Sequence, residues 1–250
     1  MDTKNWAVPA KEAFYLDKTT HVWLFSLTAS SKELNLLKRF LNEEDIKRAE
    51  RFKFDRHRNG FIAAHGKMNF ILAKYLHRKP DDIKYIQNEY GKPFIKGNPL
   101  YFNLSHSQEL GLLAVNGLFE VGVDIEYIRP DFAELKIAKR FFSEHEVNEL
   151  LLLPAGQRKQ GFFNCWSRKE AYIKGQGKGL SIPLHRFDVR LSPGRPARLL
   201  ATRDDPQAVH RWRLIALDTH PEYAAAVLVP AESSQIKLWR GDELDYRNSG

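Results

Sequence analysis

One cysteine, Cys165, stands in a chain of 250 residues. A single thiol excludes an internal disulfide and any cysteine-rich zinc cluster, and it suits a reducing compartment such as the cytoplasm. Long apolar runs are missing too. The longest, Leu150–Leu153 and Tyr223–Val229, fall far short of the roughly 20 residues that a membrane-spanning helix needs, so no membrane association is expected. The first residues, Met1-Asp-Thr-Lys-Asn-Trp6, lack the charged-then-apolar layout of a secretory signal. There is no short internal repeat and no low-complexity linker.

What is present is the composition of a globular protein, 43% hydrophobic and 28% charged. A chain this long can bury roughly 70–75% of its unfolded surface, in one good core or two modest lobes. Lys and Arg number 39 against 31 Asp and Glu, a formal charge of +8. That balance points to anionic partners, and nucleic acid, a polyphosphate cofactor or an acidic protein each satisfies it.

Helix signals come early. Ser30 with Glu33 reads as a capping box opening a helix that carries Leu34, Leu37 and Leu41. Asn42 caps a second helix, Glu43–Phe52. Phe61, His65, Met68, Leu72 and Tyr75 share one face of a third, from about Arg56 to Leu76, which Pro80 ends. Strands are expected at Ile83–Gln87, Leu100–Leu104, Leu110–Val115 and Leu118–Glu126, with turns at Gly91-Lys-Pro93 and Gly97-Asn-Pro99. Ser143 and Glu146 predict another helix start before Val147–Leu153. Pro154–Gly161 reads as a loop and Phe162–Lys174 as a helix. Strands follow at Arg186–Leu191, Ala197–Thr202, Trp212–Leu217 and Tyr223–Val229, and a polar, mobile tail from Ala231. The layout is α+β, in two lobes joining near Val121.

On a strand Val121–Glu126, Gly122, Asp124 and Glu126 share one face. Two carboxylates beside a glycine suit a hard cation such as Mg2+, which takes oxygen ligands and phosphate. The same pattern also describes the solvated face of an amphipathic strand. In the helix, Phe163, Trp166, Glu170 and Ile173 fall at i, i+3, i+7 and i+10, so Glu170 occupies a buried stripe. A carboxylate there needs a compensating charge. Lys174, one turn on, can supply it as a surface pair; alternatively a metal shared with Asp124 and Glu126 supplies it and frees Lys174 for a phosphate.

Other candidates are more open. The glycines of Gly175-Gln-Gly-Lys-Gly179 follow a helix rather than precede one, so they are no P-loop. Ser105 and His106 are strand neighbours and point to opposite faces, which argues against a nucleophile–base pair. His106 suits a phosphate or ribose contact, or a structural imidazole. Lys92, in its turn, can reach a phosphate or stay solvated. Lys47, Arg48, Arg51, Arg56 and Arg58 form a basic concentration interleaved with acids. A basic nucleic-acid-binding protein, stacking bases on Tyr85, Tyr90 and Phe94, is the competing class. It gives the three carboxylates no role.

Taken together, Gly91-Lys-Pro93, Phe102-Asn-Leu-Ser-His-Ser107, Gly122-Val-Asp-Ile-Glu126 and Trp166-Ser-Arg-Lys-Glu-Ala-Tyr-Ile-Lys174 through Gly179-Leu180 resemble the Sfp-type 4'-phosphopantetheinyl transferases. The resemblance covers roughly residues 40–230. It implies an α+β fold of two similar lobes in a pseudo-twofold arrangement with the active site in the cleft between them. The lobes would be residues 1–121 and 122–230, with 231–250 as the polar tail. It implies a holo-[acyl-carrier-protein] synthase activity, in which the 4'-phosphopantetheine arm of coenzyme A moves to a serine of an apo acyl or peptidyl carrier protein. Adenosine 3',5'-bisphosphate is the second product, and Mg2+ (or Mn2+) is required. By the same resemblance Asp124, Glu126 and Glu170 would hold the metal and Lys174 the pyrophosphate. Ser105 and His106 would meet the 3'-phosphate region, Lys92 and Pro93 the nucleotide end, and Arg51 and Arg58 further phosphate, with Lys47 or Arg48 as replacements. Glu170 is the first candidate for general base and Glu126 the second. A monomer that does not bind nucleic acid is expected, with Arg168, Lys169, Lys178, Tyr172 and Leu180 as a docking surface for an acidic carrier.

Overall fold

The computed structural model describes residues 5–97, 99–130, 134–233 and 235–247; Asn98 of the second expected turn and the last three residues of the tail lie outside them. One order of elements occurs twice. The first half runs β1 (Thr20–Ser26), α1 (Ser31–Lys38), α2 (Glu43–Glu50), α3 (Asp55–Leu76), β2 (Tyr85–Gln87), β3 (Pro93–Ile95), β4 (Tyr101–Ser107) and β5 (Leu110–Asn116). The second runs β6 (Gly122–Tyr127), α4 (Glu134–Phe141), α5 (Glu144–Leu152), α6 (Ala155–Gln176), β7 (Phe187–Val189), β8 (Leu199–Thr202), α7 (Ala208–Arg211), β9 (Trp212–Ala216) and β10 (Tyr223–Pro230). In each half the first strand pairs antiparallel with the last, the last with the one before it, and the two short strands with each other.

The caps read from the sequence start the helices. The Ser30 and Asn42 side chains accept from the amides of Glu33 and Asp45, and Ser143 with Glu146 closes a full capping box. Helix α6 begins two turns earlier than its apolar stripe suggests. Pro154 sits at its N-cap, and Gly161, read as a loop residue, is a packing glycine: a Cβ there would lie 2.5 Å from the Leu153 side chain.

Helix α3 covers the outer face of the β1–β5–β4 sheet with Trp23, Phe25, Phe70 and Leu113 in its core. Helix α6 covers the outer face of the β6–β10–β9 sheet with Phe162, Ile173, Ala226 and Leu228. Between the sheets lies a third apolar layer, including Val22, Leu24, Leu112, Val123, Ile125 and Val227.

The segment expected to be a mobile polar tail is built into the first half. Strand β11 (Ile236–Arg240) pairs parallel with β1, and Tyr246 is buried against Phe70. Its acidic character has a purpose. Asp242 accepts from the Ser26 amide at 2.8 Å and from the buried Lys67 ammonium at 2.8 Å.

Candidate active site

Gly122 lets the second-half helix sit on its strand. A Cβ at this position would fall 2.1 Å from the Ala171 carbonyl oxygen and 2.3 Å from the Gly175 amide nitrogen. Only a residue without a side chain permits that approach. The strand face that carries Gly122 therefore delivers Asp124 and Glu126 beneath Glu170 and Lys174. The alternation read from the sequence holds, since Val121, Val123 and Ile125 line the opposite, inter-sheet layer.

Asp124 is 2% exposed. Its Oδ1 accepts from Lys174 Nζ at 2.5 Å and from Ser105 Oγ at 2.8 Å, while its buried Oδ2 has no partner among the described residues. Lys174 Nζ also donates to Ser105 Oγ at 3.0 Å. The ammonium thus pairs with Asp124 and not with Glu170, as helix spacing alone suggested. Desolvation pulls the Lys174 pKa down, but the charge and hydrogen bond of Asp124, with Glu170 and Glu126 behind them, together outweigh it and raise the pKa.

Glu126 accepts from Ser107 Oγ at 3.2 Å. Burial, and then the negative charge of Asp124, push its pKa up to about 7 against the opposing pull of Ser107 and Lys174. Burial followed by Asp124 raises Glu170 as well. Three carboxylates within electrostatic reach of one another, with one ammonium among them, hold a surplus of negative charge that calls for a further cation.

The first half brings His106 within electrostatic reach of Lys174. His106 faces the α3 side of its sheet, opposite to Ser105, and is exposed to solvent. Desolvation by the surrounding protein, then the neighbouring His65, Lys174 and Arg48, hold its pKa down to about 4. His65 stacks on Phe61 at 3.9 Å between ring centroids, and the Arg48 guanidinium lies 5.2 Å over the same ring. From the sequence Arg48 was expected only as a replacement for Arg51 or Arg58, and His65 only as part of the shared apolar face of α3. Their signal was the shared face of α2 and α3, which the mixed charges of the basic stretch obscured.

Lys92 is bound to the Glu120 carboxylate and donates to the Val121 carbonyl at 3.3 Å, next to Gly122. Asn88 fixes its turn by donating to the Gly177 carbonyl at the end of α6. With the exposed Pro93, Lys92 borders a cavity of about 220 Å³. Arg51 ends α2 and is exposed, and Arg58 pairs with Asp55 in the first turn of α3; neither contacts the carboxylate cluster. Two residues expected on a docking surface are instead structural. Lys169 is fully buried, bound to Glu146 at 2.8 Å and to the carbonyls of Leu184 and Phe187, and Arg168 is 4% exposed with its guanidinium on the Arg190 carbonyl. Tyr172 is buried beside them, which leaves Lys178 and Leu180 at the surface. A period-3.6 reading cannot distinguish a charged residue on the wet face from one threaded into a polar gap of the core.

Residues 120–228 match the family model described as the 4'-phosphopantetheinyl transferase superfamily. The 4'-phosphopantetheinyl transferase HetI of Nostoc sp. is 35% identical over 239 residues, covering 94% of this chain and 98% of that protein. The chain belongs to the 4'-phosphopantetheinyl transferase family. Two further members are psf-1 of Bacillus pumilus, 34% identical over 83% of this chain and 87% of its own, and Sfp of Bacillus subtilis, 36% identical over 65% and 71%. The β6 and α6 residues of the site fall inside the matched family segment. His106, Arg48 and His65 lie upstream of it.

A divalent cation fits the donors present. Asp124 keeps one buried oxygen without a partner, and the carboxylates of Glu126 and Glu170, the hard oxygen donors such an ion takes, lie within electrostatic reach of it. Among the described residues no three His, Cys, Asp or Glu side chains already converge as a ligand set. Lys174 occupies the near oxygen of Asp124 and offsets one carboxylate of the three. None of the helices in the described residues is long and apolar enough to cross a membrane.

Proposed function

We propose that this protein transfers the 4'-phosphopantetheine arm of coenzyme A to a serine of an apo carrier protein. The observation that carries the reading is the cluster of three carboxylates and one lysine, with a buried and unpartnered Asp124 oxygen, within electrostatic reach of His106. Asp124, Glu126, Glu170 and Lys174 stand on the second half, and His106 stands with His65 and Arg48 on the first. The Arg48 guanidinium and the neutral His106 imidazole, a hydrogen-bond donor, suit the nucleotide phosphates of coenzyme A, and the carboxylates would suit a divalent cation.

Asp124, Glu126 and Glu170 would hold a Mg2+ or Mn2+ ion, which supplies charge neutralisation on the pyrophosphate oxygens when bound. Lys174, the one ammonium in the cluster, would serve the same oxygens. His106 and Arg48 are assigned the 3'-phosphate region, and the small cavity at Lys92 and Pro93 the nucleotide end; the expected contacts of Arg51 and Arg58 are peripheral to this arrangement. Ser105, fully engaged by Asp124 and Lys174, serves the carboxylates rather than the nucleotide.

In the reaction the carrier serine oxygen bonds to the β-phosphorus of coenzyme A as the bond from that phosphorus to the bridging oxygen breaks. The electron pair leaves with adenosine 3',5'-bisphosphate. The serine proton passes to a carboxylate of the cluster. Glu170 is the first choice: no hydrogen bond engages it among the described residues, and its raised pKa brings it toward the working pH. Glu126, held by Ser107, is the second. The nucleophile belongs to the partner, in keeping with the lack of any nucleophile–base pair here. A positive surface favours encounter with an acidic carrier, and the protein is expected to act as a monomer in the cytoplasm.

The test is release of adenosine 3',5'-bisphosphate from coenzyme A, followed by chromatography with an apo carrier and Mg2+. Release that requires both metal and the carrier's serine supports the reading. Release that persists with a carrier lacking that serine indicates simple hydrolysis and overturns it.

A further inference from the structure

Strands β4 and β6 lie side by side at the junction of the two sheets, running in the same direction, yet no backbone hydrogen bond joins them among the described residues. Side chains make the rungs instead. Asn103 Oδ1 accepts from the Val123 amide at 2.8 Å, Ser105 Oγ from the Ile125 amide at 3.4 Å, and Ser107 Oγ from the Tyr127 amide at 3.1 Å. The spacing of two residues on both strands makes this a ladder, with β4 offering side chains where a paired strand would offer carbonyls.

The two serines do a second thing. Each hydroxyl has one proton and two lone pairs. Ser105 gives its proton to Asp124 Oδ1, and Ser107 gives its proton to Glu126 Oε2 at 3.2 Å. Each serine thus clamps one residue's amide and the preceding residue's carboxylate at the same time. Carboxylates on the free edge of a strand have rotamer freedom. Here the opposite half of the molecule removes it, and it does so through the bonds that join the halves.

We propose that Ser107, supported by Asn103, is a positioning residue for the transfer reaction: it fixes one oxygen of Glu126 so that the other can serve a bound cation. The inference rests on the metal-dependent transferase reading above. It assigns Asn103 and Ser107 a role, although neither meets substrate. It also accounts for the alternating polar residues of Asn103-Leu-Ser-His-Ser107, whose other members, Leu104 and His106, face the α3 side.

The test uses the full chain and Mn2+ as the probe, with binding followed by the loss of the free-ion EPR signal. Wild type, Ser107→Ala and Ser107→Thr are compared, alongside transfer rates over a range of metal concentration. Removing a residue that orients a metal ligand weakens metal binding by roughly 10–100-fold. Ser107→Ala should therefore raise the Mn2+ dissociation constant, and the concentration giving half-maximal transfer, by about 10-fold or more. KM for coenzyme A at saturating metal should stay at the wild-type value. Ser107→Thr, which keeps the hydroxyl, should restore the affinity. Thermal unfolding without metal checks that each variant is folded; if the alanine variant is not, Ser107→Cys, a weak donor of similar size, is read in its place.

An active wild type whose Ser107→Ala variant binds Mn2+ as tightly overturns the positioning role and leaves the transferase reading intact. Equal losses in the alanine and threonine variants also overturn it, because the hydroxyl would then be irrelevant. A wild type that neither binds Mn2+ nor transfers overturns the transferase reading and the inference with it.

Discussion

Lys174 Nζ stands 2.5 Å from Asp124 Oδ1, so the buried carboxylate meets an ammonium from the helix above it before any substrate arrives. The pair joins α6 to β6 and sets the resting charge of the site. Losing one partner of a buried pair leaves a charge uncompensated at a cost of about 3–5 kcal/mol, and the partial exposure of Lys174 puts this pair at the low end. Lys174→Met should therefore lower the stability of the metal-free protein by about 3 kcal/mol in denaturant titration. Adding Asp124→Asn to it should recover most of the loss. Equal stability of wild type and Lys174→Met would show that the pair contributes nothing.

The pH dependence has a defined sign. Glu126 holds its proton more tightly in the folded protein, with a pKa of about 7 against 4.5. Its contribution to stability is fully present below about pH 4.5 and is lost as the pH rises through 7. His21 and His106, both held down to about 4, act in the opposite direction at lower pH. A difference measurement isolates the carboxylate. Glu126→Gln should melt above wild type at pH 8 without metal, and the gap should close towards pH 4.5. Saturating Mg2+ at pH 8 should close it as well, by stabilising the wild type. A gap that widens on acidification contradicts this assignment.

Gly122→Ala tests how the strand and helix meet. The added methyl would strike main-chain atoms of Ala171 and Gly175, which cannot rotate away. Overpacking of this kind costs about 1–3 kcal/mol and more where the backbone must move. We expect a loss at the upper end of that range, together with weaker Mn2+ binding, because α6 carries Glu170 and Lys174 away from Asp124. Wild-type stability and metal affinity in this variant would mean that the close approach is not required.

The sequence disclosed the helix caps, the alternation along β6 and the buried stripe of α6, since each depends on local spacing. It did not disclose strand β1, which is buried over nearly its whole length and so shows no alternation. The repeated order of elements left no repeat in the sequence and was expected only from the family resemblance, because topology repeats while side chains need not. Lys67 and Lys169 mislead in the same way. Each is charged in composition and buried in fact: Lys67 meets the Ser26 carbonyl and the Glu33 and Asp242 carboxylates, and Lys169 the Leu184 and Phe187 carbonyls and Glu146. The site follows the same rule. Asp124, Glu126, Glu170 and Lys174 announce themselves by pattern, whereas the placement of Arg48 and His65 depends on how α2 packs on α3, and that of Ser107 on how the halves meet.

The most direct measurement is the intact mass of an apo carrier protein after incubation with this protein, coenzyme A and Mg2+. The account predicts a gain of one phosphopantetheine group, lost when metal is removed and abolished in Glu170→Ala. An unchanged mass across apo carriers from several pathways, with coenzyme A bound normally, would contradict it.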